Sequence, residues 1–172
     1  VQASYYDDAA RDRFNPSNLT SSGELFRASF ADNAASPIYP DGTKLLVWHP
    51  ATKQAAVVRI NNAGPYFGRR LIDLSRAAAE KLGFVRRGVA TVQVRVIEAP
   101  TPAEATYRHG RVYAPVLGFL GNYPDLEVAY AAASRSIGGG GDVARVSVAA
   151  LSALPQALVI EPGELMPPPE MG

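Results

Sequence analysis

Residues 59–79 read RINNAGPYFGRRLIDLSRAAA, and this run contains a sharp turn followed by the start of a helix. Gly64 can adopt a left-handed backbone conformation and Pro65 fixes its own φ, so the chain must turn where these two residues stand. The strand before the turn then presents Asn61 and Asn62 at its tip. We therefore assign structural roles to Gly64 and Pro65 and expect the two asparagines to be accessible.

A short helix is predicted after the turn, over residues 73–83. The segment opens with capping residues, continues through strong helix formers and stops at a glycine. Asp73 is well placed to cap this helix. We therefore assign Asp73 a structural role rather than a catalytic one.

Strands are predicted on both sides of this helix. Residues 43–48 and 54–60 are β-type runs, and the short segment between them contains a proline, which favours a hairpin. Residues 88–98 alternate between two faces, with one face formed by Ala90, Val92, Val94 and Val96. The order of strands, one helix and a strand indicates a mainly β domain.

The pattern breaks at residues 99–102, which read APTP, and this is the best domain boundary in the chain. We therefore predict a domain at 1–98 and a C-terminal extension at 99–172 that packs on it. The extension has a predicted helix around 125–135. Four glycines at 138–141 favour a hinge, and the terminal prolines favour an extended tail.

Composition restricts the class of protein. The chain has 172 residues, of which 47% are hydrophobic, and this is enough for one packed domain with an extension. No apolar run approaches the roughly 18 residues of a membrane span. There is no cysteine, which excludes disulfides and thiolate metal sites, and no metal or cofactor is expected. The start at Val1 suits a mature exported protein whose signal peptide has been removed.

Positive charge is concentrated in one part of the chain. Residues 59–95 hold seven Arg and one Lys against Asp73 and Glu80, a surplus of +6, although the whole chain has a net charge of +1. Such a sector is typical of a surface that meets an anionic partner. No helix-turn-helix, zinc-finger or RRM signature accompanies it, so a nucleic-acid partner is not expected.

Four segments occur in a specific order: ASYY at 3–6, TSSGELF at 20–26, PDGT at 40–43 and the run at 59–79. They resemble, in the same order, motifs of the rare lipoprotein A (RlpA-like) family, and the resemblance covers about residues 3–98. Any one match is weak, but four in order are specific. The resemblance implies a six-stranded double-psi β-barrel with one short helix, related to barwin and expansin barrels. The C-terminal extension adds some helix.

The resemblance also implies an activity, the lytic cleavage of peptidoglycan. In that chemistry an acid protonates the glycosidic oxygen and a base assists a sugar hydroxyl to close an anhydro ring. The family's acid–base positions fall on Glu24, Ser36 and Asn62, where the family has Glu, His and Asp. Neither an amide nor a serine hydroxyl titrates near pH 7, so we predict a protein that binds glycan without cleaving it. His49, in the predicted hairpin turn, is interpreted as exposed and incidental.

Ring faces and polar groups near these positions are the predicted ligand contacts, namely Tyr5, Tyr6, Glu24, Asn61, Asn62 and Tyr66. The expected partner is a peptidoglycan strand or another envelope protein, in the bacterial periplasm. Two alternatives stay open. One is an active lytic transglycosylase with altered acid–base residues, and the other is an interaction module of an envelope assembly that docks through the extension and the Arg-rich sector.

Overall fold

The computed structural model describes residues 1–6, 19–27, 29–65 and 68–138. Its strands are β1 (Gln2–Tyr6), β2 (Asn33–Ala35), β3 (Lys44–His49), β4 (Gln54–Asn62), β5 (Arg70–Ser75), β6 (Ala90–Thr91), β7 (Gln93–Glu98) and β8 (Gly118–Asn122). Its helices are α1 (Arg76–Leu82), α2 (Pro102–Ala105) and α3 (Leu126–Gly138), and a 3₁₀ turn covers Val85–Arg87. The described part of the chain is therefore mainly β.

The strands are hydrogen-bonded in the order β6-β1-β5-β2-β4-β3-β7, and β8 pairs with β4 outside this path. β1 is parallel to β5 and β2 is parallel to β4, whereas β3 is antiparallel to both β4 and β7. Val92 alone separates β6 from β7, so both ends of the path lie on one continuous segment. Counted as one, that segment makes six barrel strands. The predicted mainly β double-psi barrel is confirmed, and β8 is an additional strand that the sequence did not reveal.

β3 and β4 form the predicted hairpin, and β4 is buried on both faces. On one face Ala56, Val58 and Ile60 enter the main core of the barrel. On the opposite face Ala55 and Val57 enter a second core. Successive side chains of a strand point to opposite faces. Because both faces of β4 are covered, neighbouring residues of this strand pack against different cores.

The start of α1 differs from the prediction. Its N-cap is Ser75, whose hydroxyl accepts the Ala78 N–H at 3.2 Å, and its C-cap is Gly83 with φ +83°. Asp73 does not cap the helix. It lies in β5, directly beside Ser4 of β1, and accepts the Ser4 hydroxyl at 2.7 Å. The parallel pairing of β1 with β5 extends to Ser75 and keeps residues 73–75 in the strand, so the helix can only begin afterwards.

His49 is not an exposed turn residue, as the sequence had suggested. It ends β3, is 4% exposed, and its Nδ1 lies 2.9 Å from the Leu82 carbonyl oxygen. Its ring also meets the ring of Phe84 edge-on. The hairpin turn itself follows, with Lys53 at φ +61°. The end of α1 therefore buries His49. The contact that does this joins residues that are far apart in the sequence.

Residues 99–138 lie on the outer side of the barrel. β8 pairs antiparallel with β4, and α3 packs on β3 and β7. The second core joins Leu46 and Trp48 to Ala129 and Ala133 of α3. The Trp48 indole N–H also donates to the Tyr123 carbonyl at 3.0 Å.

α3 corresponds to the helix predicted around 125–135. The domain division at residue 98 stays a prediction. Most of the glycine run at 138–141 and the whole proline tail lie outside the described residues. No helix among the described residues is long and apolar enough to cross a membrane.

Candidate functional site

The end of β4 brings together the three positions that the sequence singled out. Asn62 is the last residue of β4, and its backbone oxygen accepts the Ser36 N–H at 3.0 Å. Asn61, one residue earlier, donates from its side-chain amide to Glu24 Oε2 at 2.8 Å. Gly64, just after the strand, has φ +98° and makes the predicted sharp turn with Pro65. Glu24, Ser36 and Asn62 therefore surround one strand end.

A tight turn presents Glu24. The Thr20 N–H donates to the Glu24 carbonyl at 2.8 Å, and the Gly23 N–H donates to the Thr20 carbonyl at 2.9 Å. Gly23 has φ +90°, and a Cβ there would lie 2.1 Å from the Arg108 carbonyl oxygen. Both the conformation and the close backbone approach require glycine. The Glu24 side chain is half-buried, with one carboxylate oxygen held by Asn61.

The side chain of Asn62 accepts hydrogen bonds from two backbone N–H groups. Its Oδ1 accepts the Ser21 N–H at 2.9 Å and the Ala63 N–H at 3.0 Å. These two bonds tie the turn that carries Glu24 to the end of β4. The amide oxygen is thus an acceptor with a fixed orientation.

Ser36 is buried, and its hydroxyl makes three hydrogen bonds. Its hydroxyl donates to the Leu71 carbonyl at 2.9 Å and accepts the N–H groups of Ile38 and Tyr39 at 3.2 Å each. A small hydroxyl at this position satisfies three backbone groups where the chain leaves β2. Its hydrogen bonds are therefore made within the protein rather than toward the site.

The predicted ligand contacts are distributed unevenly. Asn61 is 1% exposed, which contradicts the expectation of an accessible side chain. Its amide donates to both Glu24 and Asn33, so it orients Glu24 from within the protein. Tyr6 is 6% exposed with its ring 4.8 Å from that of Phe26, which contradicts the expectation of a free ring face. Ala3 and Tyr5 of β1 face the main core, so Tyr6 lies on the opposite face of the strand, where the Phe26 ring covers it.

Two further contacts were predicted. Tyr5 is half-buried, and its ring packs edge-on against Phe84. Tyr66 lies outside the described residues. Their roles as ligand contacts stay predictions.

Charged groups that the sequence did not single out lie near Glu24. Burial raises the pKa of the half-buried Asp32 carboxyl; its own backbone N–H opposes the shift, the negative charge of Glu24 adds to it, and Arg59 and Arg27 oppose it. Burial lowers the pKa of Arg59, against the opposing effect of Glu24. Burial also raises the pKa of the Tyr6 hydroxyl. Within the described part of the chain, four buried polar atoms have no hydrogen-bond partner: Tyr6 Oη, Asp32 Oδ1, Arg59 Nε and Asn61 Oδ1.

A family described as lytic transglycolase has a model that matches residues 1–94, more than half of the chain. The chain belongs to this family. The matched region includes Glu24, Ser36 and Asn62 and ends within β7. Residues 95–172 of this family member lie beyond it.

Curated relatives support the family assignment. The chain is 40% identical over 78 residues to the endolytic peptidoglycan transglycosylase RlpA of Neisseria meningitidis serogroup A, which is 45% of this chain and 32% of the relative. It is 37% identical over 87 residues to the RlpA of Vibrio cholerae, covering 51% of this chain and 33% of the relative. The matched region thus spans a third or less of these relatives.

A solved structure, the Streptomyces papain inhibitor, aligns with a TM-score of 0.45 and 23% identity. The alignment covers 56% of this chain and 91% of that structure.

Sequence reasoning missed Arg59, which is the most deeply buried Arg, Lys, Asp or Glu among the described residues of this lytic transglycolase family member. Arg59 lies on the same face of β4 as Val57 and is 5% exposed. Its guanidinium lies 4.7 Å from the Tyr113 ring and donates to the Ala114 carbonyl. Its place beside the apolar run at 55–58 was a signal, but the residues that cover its side chain lie more than fifty positions later in the chain. Among the described residues, no group of three His, Cys, Asp or Glu side chains could hold a metal ion.

Proposed function

We propose that this chain binds glycan strands of peptidoglycan in the bacterial cell envelope without cleaving them. The observation that carries the proposal is that the side chains of Asn62 and Ser36 both form hydrogen bonds with the backbone of neighbouring segments. The Asn62 amide oxygen accepts two backbone N–H groups, and the Ser36 hydroxyl bonds three backbone groups. Both positions therefore hold the turns of the site in place and supply no titratable group.

The chemistry of lytic cleavage requires two proton transfers, one to the glycosidic oxygen and one from the attacking hydroxyl. Of the three acid–base positions, Glu24 alone carries an ionisable side chain. A single carboxyl can hydrogen-bond a sugar, but it lacks the partner that completes the reaction. A bound strand is therefore expected to remain intact.

Binding is supported by what the site retains. The relatives are named as peptidoglycan transglycosylases, and this chain keeps their scaffold with Glu24 in a half-buried, oriented position. A carboxylate in such a position suits hydroxyl groups of a sugar. The proposed periplasmic location follows from this ligand.

Sacculi stripped of their stem peptides test the proposal. We expect the wild-type chain to co-sediment with them and to release no anhydromuropeptides, and we expect Glu24→Gln to weaken co-sedimentation severalfold. Glu80→Gln, a change at an exposed glutamate on α1, is the matched control and should bind as the wild type does. Release of anhydromuropeptides that is lost in Glu24→Ala would contradict binding without cleavage. Absence of co-sedimentation would favour another envelope protein as the partner.

One observation favours the second candidate, an active lytic transglycosylase with altered acid–base residues. The Asp32 carboxyl is half-buried near Glu24 and its pKa is raised, which is a property of general acids. If this candidate is correct, wild-type protein will release anhydromuropeptides and both Asp32→Asn and Glu24→Gln will abolish the release. Absence of release from wild type would reject it.

A further inference from the structure

The segment after the barrel lies directly against the turn that carries Glu24. The Arg108 N–H donates to the Ser22 carbonyl at 3.1 Å, and the Arg111 N–H donates to the Gly23 carbonyl at 3.2 Å. Glu24 and Arg111 also form an isolated parallel β-bridge. Residues 101–113, which lie beyond the region matched by the family, therefore form one wall of the candidate site.

This wall is held by a network of its own. A capping box joins Thr101 and Glu104 at the start of α2. The Arg111 guanidinium donates to the carbonyls of Ser22 at 3.3 Å, Ala103 at 2.7 Å and Thr106. The Tyr113 hydroxyl donates to the Glu104 carbonyl at 2.7 Å. Satisfied carbonyls at the end of α2 and a bound guanidinium give the wall a defined shape.

The outer surface of the wall is aromatic and cationic. A shallow hollow of about 450 Å³ is lined by Pro102, Ala103, Thr106, Tyr107, Arg108 and Arg111. Tyr107 is 57% exposed, and Arg108 is exposed as well. The Arg108 guanidinium has no hydrogen-bond or ion-pair partner within the described residues, whereas Glu104 is occupied by its capping box. The hollow therefore offers a free cation beside an accessible ring.

We propose that this hollow is a subsite for a carboxylate-bearing sugar of the strand that passes Glu24, an inference that rests on the proposed function. An aromatic face stacks on a sugar ring, and an exposed guanidinium pairs with a carboxylate in a two-bond geometry. Where the stem peptide has been removed, the muramic acid units of peptidoglycan carry such a carboxylate on their lactyl group, and N-acetylglucosamine units do not. Tyr107 stacks on the sugar ring, and Arg108 pairs with the lactyl carboxylate.

Two probes separate these contributions: glycan strands with free lactyl carboxylates, and the same strands with those carboxylates reduced to alcohols. We expect wild-type protein to bind the carboxylate strands about tenfold more tightly than the reduced strands, the size of one charge-assisted interaction. Arg108→Ala should abolish this preference and leave the affinity for reduced strands unchanged. Tyr107→Ala should weaken binding of both strands equally, and Tyr107→Phe should restore it. Each side chain is exposed, so the thermal midpoints of all variants should match that of the wild type.

Arg86→Ala is the matched control, because Arg86 is an exposed arginine of the basic sector on the 3₁₀ turn. An equal loss of preference in Arg86→Ala would indicate general charge attraction and overturn the subsite. Equal wild-type binding of the two strands would overturn the subsite and leave the proposed function standing. If wild-type protein binds neither strand, the proposed function fails and the subsite fails with it.

Discussion

At position 36, one hydroxyl satisfies a carbonyl and two N–H groups, and the side chain is 4% exposed. Ser36→Ala leaves these backbone groups without their partner, and we expect the free energy of unfolding to fall by about 1–3 kcal/mol. Urea denaturation measures the change. Ser136→Ala on α3 removes one exposed hydroxyl bond to Ala132 and should change stability by less than about 0.5 kcal/mol. Equal effects in the two variants would argue against a structural role for Ser36.

Asp32 makes stability depend on pH. Its pKa is raised in the folded protein, chiefly by burial, so the folded state binds its proton more tightly than the unfolded state does. The resulting stabilisation is present at low pH and is lost as the pH rises from the unfolded pKa through the folded one. Asp32→Asn removes the charge, so its stability relative to wild type should increase as the pH rises from about 4, the unfolded pKa, through the raised folded pKa. Chemical denaturation across this range measures it, and a difference independent of pH would contradict the assignment.

Asn62 offers a test of the scaffold. A carboxylate can accept the same two N–H groups that the amide oxygen accepts, so Asn62→Asp should fold normally and add a second carboxyl near Glu24. We expect this variant to release anhydromuropeptides from stripped sacculi, where the wild type does not. The double variant Asn62→Asp, Glu24→Gln should release none. Should Asn62→Asp also release none, the candidate site and its ligand would both be in doubt. Adding Ser36→His supplies the histidine that the family resemblance predicts at this position. Because Ser36 is buried, we expect this change to lower the free energy of unfolding more than Asn62→Asp does.

At the scale of elements, α3 is an amphipathic helix, and one of its sides is buried in the second core. Ala129 is fully buried there, whereas the neighbouring Val128 is 44% exposed. Ala129→Lys must place a charged chain in a packed layer and should cost more than about 2 kcal/mol. Val128→Lys on the exposed side should cost less than about 0.5 kcal/mol. Thermal unfolding of the two variants distinguishes them, and similar midpoints would mean that α3 does not dock as described.

For the whole molecule, the segment after the barrel covers one face of the β3–β4 hairpin and the guanidinium of Arg59. Ending the chain after Glu98 exposes Leu46, Trp48 and Val57. We expect a lower unfolding midpoint and concentration-dependent aggregation, measured by thermal unfolding and light scattering. A chain that ends after Gly138 keeps all of this packing and should unfold at a higher midpoint than the chain that ends after Glu98. A chain ending at Glu98 with an unchanged midpoint would show that the barrel is independent of the segment.

Local signals in the sequence were sufficient for much of the fold. The hairpin, the helix stop at Gly83 and the alternation of residues 88–98 depend on neighbours in the chain, and all three are present. The wrong assignments involve competition between local and distant contacts. Asp73 and Ser75 are both good caps, and the pairing of β5 with β1 selects Ser75. His49 follows a strand like any turn residue, and only the approach of Leu82 buries it.

Ordered motifs along the chain were sufficient for the double-psi barrel, and the residue types at positions 36 and 62 carry the prediction that the site has no acid–base pair, because both depend on residue identity and order. The partners of Glu24, the burial of Arg59 and the wall at residues 101–113 depend on packing. Each of these contacts joins segments that are far apart in the chain. Alternation and propensity describe only neighbouring residues, so the contacts arise when the barrel and the segment after it come together.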